Sequence, residues 1–331
     1  MKNYLKLFLA SGAITVFILD SAAASAGAVN GLELCLHTVI PSLFPFLFLS
    51  MVITGWLGRK GFPALNFLCR TFRLPEGAGG LLLLGWLGGY PTGAHSVSLA
   101  YEQGRISKHD AQRMLVVCSN CGPAYIFGVL SGVFSGISNL WAIWGICMLS
   151  SLITSLILPG GGGRMTPLTN IQPESPVKLM DKAIRAMARI CGWVIMFRVI
   201  LSFAERWFLW LLPPEGRVLL CGLTELANGC LLLHQVSTHE IRFILACAIL
   251  SFGGLSVMLQ TYSVISYKLD TKMYFPGKVL HSAISTCLAC IAVSSGFEWK
   301  IPLFASMILC AVTLILWKSA KKGRFSEKIG V

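Results

Sequence analysis

The chain has 331 residues, of which 55% are hydrophobic and only 12% charged, and its mean hydropathy is +0.72. Soluble domains carry about twice that charged fraction, so a water-soluble domain is excluded and an integral membrane protein is implied. The net charge of +13 could suggest nucleic acid, but the basic residues flank apolar runs and form no face of their own. That pattern excludes a nucleic-acid partner and makes the lipid bilayer the expected one.

The first 28 residues carry Lys2 and Lys6, an apolar run from Leu7 to Leu19, and then a small-residue stretch. This fits a cleaved signal peptide or a retained first helix, and Asp20 ahead of the small residues favours retention. Residues 21–38 read as a helix lying on the outer surface, with Glu33 and His37 toward water. A span over 41–56 ends at Arg59-Lys60, and 61–75 reads as a basic inner-interface segment. The apolar run 77–87 reaches only about 18 Å as a helix, against a hydrocarbon core of about 30 Å. It is then broken by Gly85-Trp86-Leu87-Gly88-Gly89-Tyr90-Pro91-Thr92-Gly93-Ala94-His95 and continues polar. Such a break needs neighbouring protein or a watery cavity, so 77–104 reads as a re-entrant hairpin. Spans follow over 110–133 and 139–158.

The glycine-rich, proline-containing stretch 159–177 reads as a flexible linker between two membrane halves, 1–158 and 178–317. Residues 178–189 form a basic amphipathic helix leading into a span over 190–212. A second short broken run, 217–235, is interrupted at Glu225-Leu226-Ala227-Asn228-Gly229. Long spans are expected over 240–267, 279–297 and 301–317, before a basic tail over 318–331. Twelve cysteines are scattered with no disulfide framework. Cys118/Cys121 and Cys287/Cys290 are spaced Cys-x-x-Cys inside apolar segments. They read as small buried hydrophobes, with metal ligation as the alternative.

Treating both broken runs as hairpins that return to their side of entry puts 22 of the 27 Lys and Arg on one face, including 105–113 and 268–278. Four (Arg206, Arg217, Arg242, Lys300) fall on the other. The positive-inside rule then makes the basic face, and both termini, cytoplasmic. Arg198, within a span, is expected to snorkel to the inner interface. His109 and His239 read as surface residues of a first helical turn.

The hairpins then enter from opposite sides, as in an inverted repeat. Ile106-Ser107-Lys108-His109-Asp110 matches Val236-Ser237-Thr238-His239-Glu240, each a serine N-cap three residues before an acid. Both helices are interrupted about a dozen residues on, at Ser119-Asn120-Cys121-Gly122-Pro123 and at Ser251-Phe252-Gly253-Gly254. Breaks at equal depth from opposite faces meet near the bilayer centre. Transporters of the inverted-repeat class place a substrate site there, with half-helix N-termini toward anionic groups. The competing reading is that Gly and Pro only allow close helix packing. The fold class expected is therefore an all-α polytopic membrane protein, an inverted repeat with two re-entrant hairpins and two broken transmembrane helices.

The candidate substrate-binding residues are Gly89, Tyr90, Pro91, Thr92, Gly93 and His95 at the first tip, and Ser119, Asn120, Gly122 and Pro123 at the first break. Glu225, Asn228 and Gly229 stand at the second tip, with Ser251, Ser256 and Gln260 on the second broken helix. Glu225 either binds a ligand or coupling proton, or closes its hairpin with a structural hydrogen bond. No catalytic, metal or cofactor residues are assigned: neither His-Glu-x-x-His nor Gly-x-Ser-x-Gly occurs, nor a nucleotide-binding loop. The sequence leaves open a coupling proton or cation and a homo-oligomeric state.

Gly88-Gly89-Tyr90-Pro91-Thr92-Gly93, Ser119-Asn120-Cys121-Gly122-Pro123, Pro41-Ser42-Leu43-Phe44-Pro45-Phe46 and Glu225-x-x-Asn228-Gly229 together resemble the YlbJ (SpoVV) type of sporulation integral membrane proteins. That type is similar to the nucleoside-recognition, or Gate-domain, group and distantly to concentrative nucleoside transporters. The resemblance runs from about Gly31 to Trp317. It implies a transporter of endospore-forming bacteria, in the mother-cell-derived outer forespore membrane, with dipicolinate as cargo. Its alternatives are a nucleoside or divalent-metal cargo, or a scaffold that transports nothing.

Overall fold

The computed structural model describes residues 2–60, 65–166 and 175–294. The expected last span, the basic tail and the linker residues 167–174 lie outside the described residues. The protein is an all-α polytopic membrane protein: among the described residues, six helical segments are long and apolar enough to cross a bilayer. No strand forms among them beyond one isolated bridge, Glu76 to Arg164.

Helix α1 (Lys2–Leu19) is followed by α2 (Ser21–Leu34), whose first turn is capped by Asp20. A wider helical turn, Cys35–Val39, runs on into α3 (Ile40–Lys60). The expectation of a surface helix over 21–38 is corrected here. Glu33 and His37 are exposed, but Ser21–Leu49 is itself apolar and long enough to span. Its small residues lie against α10 (Pro176–Trp207). A Cβ on Gly27 would stand 2.8 Å from the Val199 Cα, and one on Gly31 would stand 2.9 Å from the Ile195 Cα. Small residues one turn apart let two backbones approach, which is how helices associate where lipid removes the hydrophobic drive. Ser202 adds a hydroxyl bond to the Ala23 carbonyl, 2.7 Å.

After the short α4 (Asn66–Thr71), α5 (Gly79–Gly88) and α6 (Thr92–Glu102) make the first hairpin. Next come α7 (Lys108–Cys118), a break, and α8 (Pro123–Val129), then the unbroken α9 (Ile137–Ile157). Ser107 caps α7 as expected: it accepts from the Asp110 N–H at 3.1 Å and donates to the Asp110 carboxylate at 2.8 Å. Pro123 opens α8 at a position where its missing N–H costs nothing.

The second set repeats the order: hairpin α11 (Pro214–Thr224) and α12 (Leu226–Leu232), then α13 (His239–Phe252), a break, and α14 (Gly254–Val264). Here the expected cap differs. Thr238, not Ser237, precedes α13 and makes no side-chain cap bond. Arg242 ties the chain instead, donating to the Val236 carbonyl and to the Val133 carbonyl at 3.2 Å. Helix α15 (Tyr274–Ser294) follows, starting five residues before the expected span.

Two further expectations are corrected. Arg198 does not snorkel to the inner interface; it pairs with Glu205, two turns on toward the C-terminal end of α10, at 2.6 Å. The glycine run after α9 is also not a free tether. Gly163 accepts from the Glu76 N–H at 2.8 Å, and Met165 N–H returns a 2.8 Å bond to the Glu76 carbonyl. Gly160, Gly161 and Gly163 lie directly on His109, Arg113 and Asp110, where no Cβ would fit. Arg113 beneath them is fully buried, with bonds to the carbonyls of Arg73 (2.6 Å) and Ser155 (2.5 Å). The stretch 159–166 is a fitted strap across the start of α7.

Candidate functional site

Both hairpins close on a pair of glycines. A Cβ on Gly93 would lie 2.8 Å from the Gly85 Cα, and one on Gly229 would lie 2.2 Å from the Gly222 Cα. Each tip also touches the break of its own half. At the first, Gly89 has φ +64°, and a Cβ there would sit 2.7 Å from the Gly122 nitrogen. At the second, a Cβ on Gly254 would be 3.2 Å from the Leu226 nitrogen. The two sets meet through Tyr90. Its hydroxyl donates to the Leu250 carbonyl at 3.3 Å, and its ring lies over Gly253, where a Cβ would be 2.8 Å from the hydroxyl.

Breaking a helix frees backbone carbonyls, and each must find a donor away from water. At the first break the Asn120 side-chain amide donates to Val117 O at 2.6 Å, and the Lys278 ammonium donates to Ser119 O at 2.7 Å. Near the second, Ile249 O takes the Gly253 N–H, and Tyr90 serves Leu250 O. Ser282 and Ser285 of α15 add bonds to the Ala248 and Cys247 carbonyls. Glu225 lies between α11 and α12, where one carboxylate oxygen accepts from Asn228 N–H (2.8 Å) and the Asn228 amide (2.7 Å). This capping bond is the structural half of the alternative posed for Glu225; the same residue also lines a cavity.

That cavity, of about 50 Å³, is walled by both tips and the first break: Gly89, Tyr90, Cys121, Gly122, Glu225 and Leu226. Gln260 of α14 joins them, with apolar residues of the turn Cys35–Val39, α3 and α10. At about 10–15 Å³ per water the space holds about three to five waters. Near it, Thr92 Oγ1 and Asn120 Oδ1 are buried without a hydrogen-bond partner among the described residues. Buried polar atoms of this kind call for water, an ion or a ligand.

The motif resemblance is met along most of the sequence. The chain is 24% identical to the sporulation integral membrane protein YlbJ of Bacillus subtilis (strain 168), in an alignment of 323 residues covering 84% of this chain and 78% of the relative. The chain resembles the YlbJ-type sporulation membrane proteins. No family model matches it, and no solved structure does.

In this YlbJ-like chain the candidate residues divide. Gly89, Tyr90, Gly122, Glu225 and Gln260 line the cavity. Ser119 and Asn120 are buried at the first break, beside it. Pro91, Gly93, Pro123 and Gly229 shape the turns, and for Gly93 and Gly229 the close-packing reading is the one realised. Asn228 is occupied by Glu225. Ser251 turns to the Cys147 sulfur at 3.3 Å, and Ser256 accepts from Gln260 at 3.3 Å. His95 is exposed on α6 and does not join the cavity wall. Cys118 and Cys121 are buried free thiols, whereas Cys287 and Cys290 are exposed. Among the described residues no group of three or more metal-ligating side chains forms.

Sequence reasoning missed Lys278 and His281. Lys278 was counted with the cytoplasmic loop 268–278, yet it is fully buried inside α15. Its ammonium reaches the Tyr90 hydroxyl (2.9 Å), Ser119 O (2.7 Å) and His281 Nδ1 (3.0 Å). The signal was available: a lysine and a histidine three apart, on one helical face, at the head of an apolar run.

Proposed function

We propose that this protein is a membrane transporter of a small organic anion, with dipicolinate, moved across the outer forespore membrane during sporulation, as the favoured cargo. One observation carries the reading: two hairpin tips and two helix breaks, in matched order, converge at the point that Tyr90 bridges, around a cavity at the tips. Irregular backbone at membrane depth is tolerated where it is packed in protein or lines a solute path. The similarity to a sporulation membrane protein and the Gate-type motifs support the setting. In this reading the first hairpin enters from the cytoplasm, the second from outside, and the halves 1–158 and 178–317 form an inverted repeat. In this reading the arrangement is a closed one, and the tips part for cargo to pass.

The test is dipicolinate flux into proteoliposomes holding the purified protein. Saturable uptake is expected, abolished by Asn120→Ala and by Glu225→Ala, with Glu225→Gln retaining the cap and part of the flux. Absence of flux with folded protein overturns the dipicolinate reading. Nucleosides and ferrous iron in the same vesicles, the latter with Cys118→Ser and Cys121→Ser, then read out the other cargoes. Sporulation left intact by both alanine variants would mark a scaffold.

A further inference from the structure

Lys278 raises a question that the closed arrangement does not answer. Its three ammonium protons meet three neutral acceptors: the Tyr90 oxygen, the Ser119 carbonyl and the His281 ring. The direction of each bond follows from chemistry. The Cys147 carbonyl, 3.0 Å from His281 Nε2, can only accept, so Nε2 carries the proton and Nδ1 is left as the acceptor for lysine. The Tyr90 hydroxyl proton goes to Leu250 O, leaving its oxygen free to accept. No acidic side chain pairs with Lys278 among the described residues, and the neighbouring groups on the packed elements are the thiols of Cys121 and Cys147. A buried ammonium without a counter-charge is costly.

The position of the lysine says where a counter-charge would come from. Its nitrogen stands 5.2 Å from the centroid of the Tyr90 ring, and Tyr90 and Cys121 are themselves part of the cavity wall. Only the tyrosine and the first break separate the cation from the solute space. We infer that Lys278 is the cargo-recognising cation of the path: it binds a carboxylate of the cargo once Tyr90 swings aside, and until then it latches the first tip to the first break. This rests on the transporter reading, and it names the ligand class as a carboxylate and Tyr90 as the gate. The latch and the recognition site are one group, so arrival of the anion itself releases the closed arrangement.

The experiment is equilibrium binding by the full-length purified protein of pyridine-2,6-dicarboxylate and its uncharged analogue, pyridine-2,6-dicarboxamide. Lys278→Gln is expected to weaken the dicarboxylate at least about tenfold more than the dicarboxamide, the size of one lost charge-assisted hydrogen bond. Lys278→Arg, which keeps the charge, restores part of that preference. Tyr90→Phe, which removes both bonds of the tyrosine hydroxyl, from Lys278 and to Leu250 O, favours the open arrangement and tightens the dicarboxylate about threefold or more. It decides the matter if Lys278→Gln does not fold. Wild-type binding with equal losses for both ligands in Lys278→Gln, or no tightening in Tyr90→Phe, overturns the role of Lys278 and leaves the transporter reading standing. A folded wild type that binds and transports no dicarboxylate ends both.

Discussion

Alanine at Gly93 tests whether the first hairpin is held backbone to backbone. A Cβ there would lie 2.0 Å from the Cys118 carbonyl oxygen, about 1.4 Å short of the 3.4 Å at which ordinary contact begins. The obstacles are main-chain atoms of Cys118 and Gly85, so no side chain can swing away. The tip must retreat from the end of α7, where the Lys278 bonds to Ser119 O and Tyr90 join the same elements. Overpacking costs about 1–3 kcal/mol, and a stretched charge-assisted hydrogen bond adds about 1.5–3 kcal/mol. Alanine's better helix propensity returns about 0.5–1 kcal/mol. The net expectation is a loss of about 2–5 kcal/mol. Gly145, in α9 with nothing within 4 Å of its Cβ position, is the control, and alanine there is expected to be neutral or stabilising. The assay is unfolding in mixed micelles by a titrated denaturing detergent, with flux on the same preparations. A Gly93→Ala protein within about 0.5 kcal/mol of wild type would refute the reasoning.

At the α2–α10 contact, Gly27→Leu forces a side chain against Val199 and Ser202 and is expected to cost about 1–3 kcal/mol, read as a lower melting temperature. Gly12→Leu, at a position open on all sides, should not lower it. In the strap, Gly161 has φ +118° and a Cβ would collide with the Arg113 guanidinium. Gly161→Ala should therefore speed proteolysis of 159–166 well beyond Gly162→Ala, which meets only backbone strain; equal rates would show that the strap is not seated on Arg113. Outside the spans, the Arg70 hydrogen bond and charge hold the Glu76 carboxyl below the usual range, and the Lys272 N–H does the same for Asp270. Folded values below the unfolded ones mean stabilisation that is full above about pH 4–4.5 and is lost as pH falls through the folded values. The melting temperature should fall on acidification toward pH 3, less steeply in the Glu76→Gln/Asp270→Asn double variant; identical slopes would refute the assignment.

The sequence alone determined the membrane class, the two short broken runs and the two interrupted helices. Each is a local property: apolar length, glycine and proline placement, and the Ser107–Asp110 cap are set by neighbours in the chain. The surface reading of 21–38 failed because hydropathy does not tell a helix lying on a bilayer from one packed on α10 through Gly27 and Gly31. The linker reading of 159–177 missed the seating of 159–166 for a similar reason, since glycines that free a chain and glycines that let it press on Arg113 look alike in sequence. Only the tertiary structure decided which polar groups share the site. Tyr90, Ser119, Lys278 and His281 are brought together by contacts across up to 188 positions. Loop counting placed Lys278 in water because charge near a helix end ordinarily stays there; it lies inside the protein, where the Ser119 carbonyl freed by the first helix break accepts its hydrogen bond.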